Sequence, residues 1–194
     1  RGGFRVDFGA GDTADMVNAY EPGGTNYLRY VQQAYVSYLA PVGKGLTIDF
    51  GKFVTPAGAE VIESKDNFNY SRGLLFALAI PYYHMGARVG YAVNDKVSVT
   101  GYLVNGWNNV IDNNDGKTVG VSLAIKPNAK LALYQNYLVG DEWSSDVDGG
   151  TRNLLDTVLS YAATDKLTLL GNFDYGRDEA EGESIDWLGF AGSL

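Results

Sequence analysis

The sequence predicts an all-β chain: an antiparallel, up-and-down transmembrane β-barrel, with about ten strands in this stretch. Three observations predict it. Apolar and polar residues alternate at period two in segment after segment, the mark of strands with two different faces. Each segment runs for roughly nine to twelve residues, longer than the five or six usual in soluble strands and long enough to cross a bilayer at a tilt. Short and long connections alternate strictly along the chain. In an antiparallel meander this puts every tight turn at one end and every long loop at the other.

The strands are expected at 3–10, 29–40, 45–54, 84–93, 96–106, 117–126, 130–140, 152–163, 166–177 and 184–194. Phe4, Val6 and Phe8 oppose Arg5 and Asp7 in the first; Leu46, Ile48 and Phe50 oppose Thr47 and Asp49 in the third. Met85, Ala87, Val89 and Tyr91 alternate with Gly86, Arg88 and Gly90. The clearest alternation is Val119, Val121, Leu123 and Ile125 against Gly120, Ser122 and Ala124. In 152–163, Leu155, Thr157, Leu159 and Tyr161 share a face opposite Asp156 and Ser160. In 166–177, Leu167, Leu169, Phe173 and Tyr175 oppose Thr168, Asn172 and Asp174.

Tight turns are expected at Pro41–Lys44, Asn94–Asp95, Pro127–Ala129 and Thr164–Asp165, and long loops at 11–28, 55–83, 107–116, 141–151 and 178–183. The long loops hold 16 acidic residues against two basic ones, Lys65 and Arg72, whereas the tight-turn end carries Lys44, Lys96, Lys126, Lys130 and Lys166. Tyr38, Tyr91 and Tyr161 each lie three residues before a tight turn; Trp107, Trp143, Tyr137 and Tyr175 cluster at the long-loop end. These read as the two aromatic girdles of a membrane barrel. A soluble β-sandwich also alternates, but it has no reason to alternate loop lengths or to band its tyrosines.

Composition agrees. The 194 residues include 14 Tyr and 25 Gly but no Cys, which excludes disulfides and thiolate metal sites. A net charge of −8 argues against nucleic acid as a partner. No window is long and apolar enough for a transmembrane helix; the longest apolar run, Gly73–Ile80, stops at Pro81. The chain starts at Arg1 without a signal segment and stops within the last strand, so it is expected to be a processed or partial chain, read as a single barrel domain over 1–194. With the apolar face toward lipid, the other face lines a lumen and needs no hydrophobic core. Arg5, Asp7, Gln33, Tyr35, Ser37, Asp49, Arg88, Thr100, Tyr102, Asn136, Asp156, Asn172, Asp174 and Asp186 are expected there.

Three segments resemble the β-barrel porin family called OmpL-like: GKFVTPAGAE at 51–60, DNFNYSRGLLFALAIPYYHMGARV at 66–89 and VNGWNNVIDNNDGKTVG at 104–120. The resemblance implies a porin-like outer-membrane barrel, relatives about twice this long, and closure with further strands.

The only histidine, His84, invites a barrel-hydrolase reading with Ser71 as nucleophile and Asn67 or Asn69 orienting the ring. No nucleophile motif accompanies it, and a lone His before a strand is more commonly a hydrogen-bonded structural residue, so no enzymatic activity is expected. Asp112–Gly116 and Asp146–Gly150 have calcium-loop composition without the ligand spacing. No cofactor is expected beyond Ca²⁺ or Mg²⁺ held loosely at acidic extracellular loops, where it would bridge to lipopolysaccharide. The segment 55–83 is too long for a hairpin loop and too apolar for disorder or for an acidic surface. It is expected to fold into the barrel mouth, with a short helix from about Arg72 to Ala79, so that Lys65, Asp66, Arg72, Arg88 and Asp49 form a constriction.

The expected function is an outer-membrane channel for small hydrophilic solutes or ions, surrounded by lipid and lipopolysaccharide. The rival is a structural barrel, plugged or holding a surface protein; a homo-oligomer fits either.

Overall fold

A computed structural model describes residues 1–19, 21, 26–144, 147 and 150–194, with the backbone alone at 26–27. Ten strands form one sheet in sequence order, each antiparallel to the next. They are β1 (Gly2–Phe8), β2 (Val31–Ala40), β3 (Leu46–Val54), β4 (Tyr83–Ala92), β5 (Val97–Val104), β6 (Thr118–Asn128), β7 (Leu131–Asp141), β8 (Thr151–Thr164), β9 (Leu167–Ala180) and β10 (Glu183–Ser193). All ten lie where period-two alternation places them. Among the described residues no ladder joins β1 to β10, so the sheet is open and both are edge strands.

The register shows how the strands are staggered. One row of outward-facing partners runs Phe4, Val36, Phe50, Ala87, Leu103, Val119, Val139, Asn153, Arg177, Asp186. It starts in an apolar band and climbs into polar residues, as a row perpendicular to tilted strands must. β8 and β9, at 14 residues each, carry the sheet beyond that band. Exposed apolar side chains cover the outer face, among them Phe4, Phe50, Leu103, Leu159 and Phe190. The facing pair Gly51 and Gly86 sits at φ 139° and 154°. A Cβ would lie 2.2 Å from the Ala34 carbonyl oxygen at one and 2.3 Å from that of Leu103 at the other. Only glycine lets the neighbouring backbones approach so closely there.

Two connections depart from expectation. The segment 178–183 is a two-residue turn, Glu181–Gly182, with both residues at positive φ (53° and 81°). That backbone matches the right-handed twist of the flanking strands. The 11–28 connection, expected as a loop, contains a six-residue helix, α1 (Asp12–Val17).

The inner face also differs from a purely polar lumen. Leu138 and Leu154 point inward and are buried with Val17, Ala57, Phe76, Ala79, Ile80, Tyr82 and Tyr83. An apolar core therefore exists inside the sheet, built from the long-loop end of β7–β10, the segment 55–83 and α1.

Candidate functional site

The segment 55–83 leaves β3 and is closed at its base by the Thr55 N–H donating to the Tyr82 carbonyl, 3.0 Å. Its first residues then cross to the far strands. The Ala59 N–H donates to Asn172 Oδ1 on β9 (2.8 Å), and Asn136 Nδ2 on β7 donates to the Pro56 carbonyl (3.0 Å). Asn136 and Asn172 also donate to Asp156 at 2.6 and 2.9 Å. A buried polar cluster on β7–β9 thus holds a loop that starts between β3 and β4.

The loop's apolar half follows from its own chemistry. Glu60 accepts the Gly73 N–H at 2.8 and 3.0 Å and so fixes the chain just ahead of a single π-helical turn, Leu75–Ala79. This is shorter than the helix expected from Arg72. Ile80 is extended (φ −129°, ψ 155°), as the residue before a proline tends to be, and Pro81 ends the turn. Phe76 packs on Tyr82 with ring centroids 5.0 Å apart. The Trp187 indole N–H donates to the Ala79 carbonyl at 3.3 Å and so fastens the turn to β10.

The expected constriction residues fall into three groups. Asp49 and Arg88 pair at 2.8 Å on the inner wall. Ser37 donates to Asp49 at 2.5 Å, and the guanidinium lies over the Tyr35 and Phe53 rings. Lys65 and Asp66 pair with each other at 2.6 Å on the exposed part of the loop. Arg72 donates to the Val61 carbonyl at 3.3 Å and to that of Ile62, spanning its own loop. The structure thus joins Asp49 to Arg88 but brings neither loop group to them.

The other lumen residues share the inner face. Arg5 and Asp7 pair at 2.8 Å, and Gln33 donates to Asp7 at 2.6 Å. Tyr102 stands beside Arg88, and Asn136, Asp156, Asn172 and Asp174 are buried under the loop. Asp186 is a correction: it shares the outer face with Tyr175, whose hydroxyl donates to it at 3.1 Å.

Tyr38, Tyr91, Tyr161, Tyr137 and Tyr175 do lie on the outer face. Trp107 does not. It stands edge-to-face with Trp187 at 6.1 Å, under the Arg152 guanidinium, against the internal core. The sequence reading missed Trp187 and the inward leucines, although the doublets Leu154–Leu155 and Val158–Leu159 signal apolar packing on both faces of β8.

His84 is fully buried. Its Nδ1 lies 2.9 Å from the Gly106 carbonyl, which can only accept, so Nδ1 carries the proton. Nε2 then accepts from the Thr55 hydroxyl at 3.2 Å. Both ring nitrogens are therefore used in joining the loop base to 106. Neither Ser71 nor Asn67 nor Asn69 is among its partners; Asn67 instead bridges both ways to the Val61 backbone. In 112–116, Asp112 pairs with Lys117, and its Oδ1 accepts the Asn114 N–H in a turn. Of the other candidate calcium loop, Asp146, Asp148 and Gly149 lie outside the described residues.

At the mouth, three connections meet. Asn108 Oδ1 accepts the Tyr82 and Tyr83 N–H groups at 2.7 and 3.3 Å. Glu21 accepts the Val110 N–H at 2.9 Å and the Tyr83 hydroxyl. Lys52, buried, donates to Asn18 at 2.9 Å and lies 3.9 Å from the Tyr83 ring centre. A separate carboxylate, Glu142, accepts the Trp107 N–H at 2.7 Å and the Thr118 hydroxyl. Burial pushes its carboxyl up to about 7, with Asp178 adding to the rise and Thr118, Trp107 and Arg152 opposing it.

An open up-and-down sheet, apolar outside, with a long loop folded across its inner wall is the arrangement of a porin-like wall. The family model described as putative beta-barrel porin-2, OmpL-like matches residues 1–194. The chain belongs to that family. Neither the curated proteins nor the solved structures compared with it show a match. As a member of the OmpL-like porin family, the chain carries its inward loop between β3 and β4 and ties it to β7–β10.

Proposed function

We propose that this OmpL-like chain forms part of a bacterial outer-membrane channel through which small hydrophilic solutes and ions diffuse passively. The loop 55–83 narrows it. The observation that carries the reading is the crossing of that loop from β3 to Asn136 and Asn172, with its apolar turn seated on β10. The polar wall of β1–β5, with Arg5, Asp7, Tyr35, Tyr102 and the Asp49–Arg88 pair, then borders the aqueous path. Its selection is steric and electrostatic, with no covalent chemistry. The exposed apolar band faces lipid, and the acidic long-loop end faces lipopolysaccharide.

Planar-bilayer recording of the purified, folded protein tests this. Discrete conductance steps are expected. In an Arg88→Ala variant, Asp49 loses its cation and the reversal potential moves toward cation preference. A second reading is a plugged structural barrel, favoured by the apolar packing of the loop on the wall. Folded protein that gives no steps would support it.

A further inference from the structure

Between the apolar turn and the long-loop ends of β8–β10 lies a cleft of about 460 Å³. Its volume is that of a small-molecule site. Tyr82, Trp107 and Trp187 supply its apolar surface; Asn109, Asn113, Glu142, Arg152 and Asp178 supply its polar groups.

The cleft is built. Trp187 lies flat on Gly176, where an added Cβ would sit 1.9 Å from the indole, and the N–H bond to Ala79 fixes its rotation. Arg152 is held by Asp178 (Nε 3.1 Å) and lies 4.9 Å from the Trp107 ring centre. Asp178 also accepts the Trp143 indole N–H at 2.9 Å. The Asn109 side-chain N–H donates to Asn113 Oδ1 at 2.9 Å, an arrangement that sets both amides at the rim.

Charge narrows the ligand class. Among the described residues Arg152 is the only cation lining the cleft, and it is already paired with Asp178, so an anion finds no free positive charge there. A cationic ligand would meet the Arg152 guanidinium already seated on Trp107. No group of three or more His, Asp or Glu side chains that could hold a metal ion occurs among the described residues. What fits is a neutral molecule with an apolar C–H face for the indole and vicinal hydroxyls for planar amides and carboxylates. We infer that the Trp187–Asn113 cleft is a binding subsite for a neutral saccharide at the outer mouth of the channel. This deepens the channel reading by naming a class of solute.

Titration of intrinsic tryptophan fluorescence in detergent micelles tests it, with maltose as probe and choline chloride and sodium gluconate as charged controls. Maltose should give a saturable change that the controls do not. Trp187→Phe, which keeps a ring over Gly176, should weaken it about tenfold, the loss of one good contact. Asn113→Ala, on an exposed loop, should weaken it several-fold without touching the fold, which circular dichroism checks. A response linear in maltose, a saturable response unchanged in both variants, or stronger binding of choline or gluconate would each overturn the proposal. Binding in micelles is read without current. Maltose binding without conductance would therefore remove the channel and leave the subsite, and conductance without binding the reverse.

Discussion

Asn108 shows how much one side chain can decide in this molecule. It holds a φ of 58°, a region that Asn enters more easily than most residues, and its Oδ1 serves two buried backbone donors. Asn108→Ala leaves both donors unpaired and keeps the unfavourable backbone, a loss of about 2–4 kcal/mol. Chemical denaturation in detergent should show this, with Asn108→Gly recovering the backbone share. Glu142 gives a pH dependence of unusual sign. Its folded carboxyl titrates near 7, above the ordinary value of 4.5, so folding favours the protonated form. The destabilisation from burying the charge is present above pH 7 and is relieved as pH falls from about 7 toward 4.5. The charged groups facing it are Arg152 and Asp178. Stability measured between pH 8 and 5 should rise more steeply in the native chain than in Glu142→Gln. Neither residue was legible in the sequence, because each sits in a connection with no periodic face to reveal its direction. Trp107 was misplaced for the same reason.

Strands and loop differ in how far the sequence disclosed them. β6 alternates cleanly because Val119, Val121, Leu123 and Ile125 share its outer face and the small residues Gly120, Ser122 and Ala124 its inner one. The end of β9 and the start of β10 are polar on both sides, so RDEAEGES reads as an acidic loop when it is a hairpin; the Glu-Gly pair at its tip was the available clue. The loop's inward course was legible, since eight apolar residues ending at a proline need cover. Its anchoring points were not, because Asn136 and Asn172 look like ordinary lumen residues until the register brings them under Pro56 and Ala59. The turn itself depends on Phe76. Phe76→Ala removes its packing on Tyr82 and from beneath the Arg72 guanidinium, at a cost of about 3–5 kcal/mol. The cost falls on local opening of the loop. Hydrogen exchange at the Ala59 and Gly73 amides should accelerate, while amides in β6 stay protected.

Across the whole molecule, the open sheet divides its inner face by chemistry. One register row runs Ser37, Asp49, Arg88, Tyr102, Gly120, Leu138, Leu154, Gly176, Trp187. It begins polar and charged and ends apolar, and the loop covers the apolar end. Period-two alternation and the run of hairpin connections foretold the up-and-down antiparallel sheet, although the connection 178–183 is a tight turn and not the long loop expected. The internal core that seats the loop was not foretold, since a lumen was expected to need none. That core makes the loop a fixed part of the wall's inner side, and the channel proposed above would be narrowed by it. Single-channel conductance of the native protein beside a variant lacking residues 60–80 tests this directly. Larger steps in the shortened variant are the predicted result; equal steps from two equally folded proteins would contradict it.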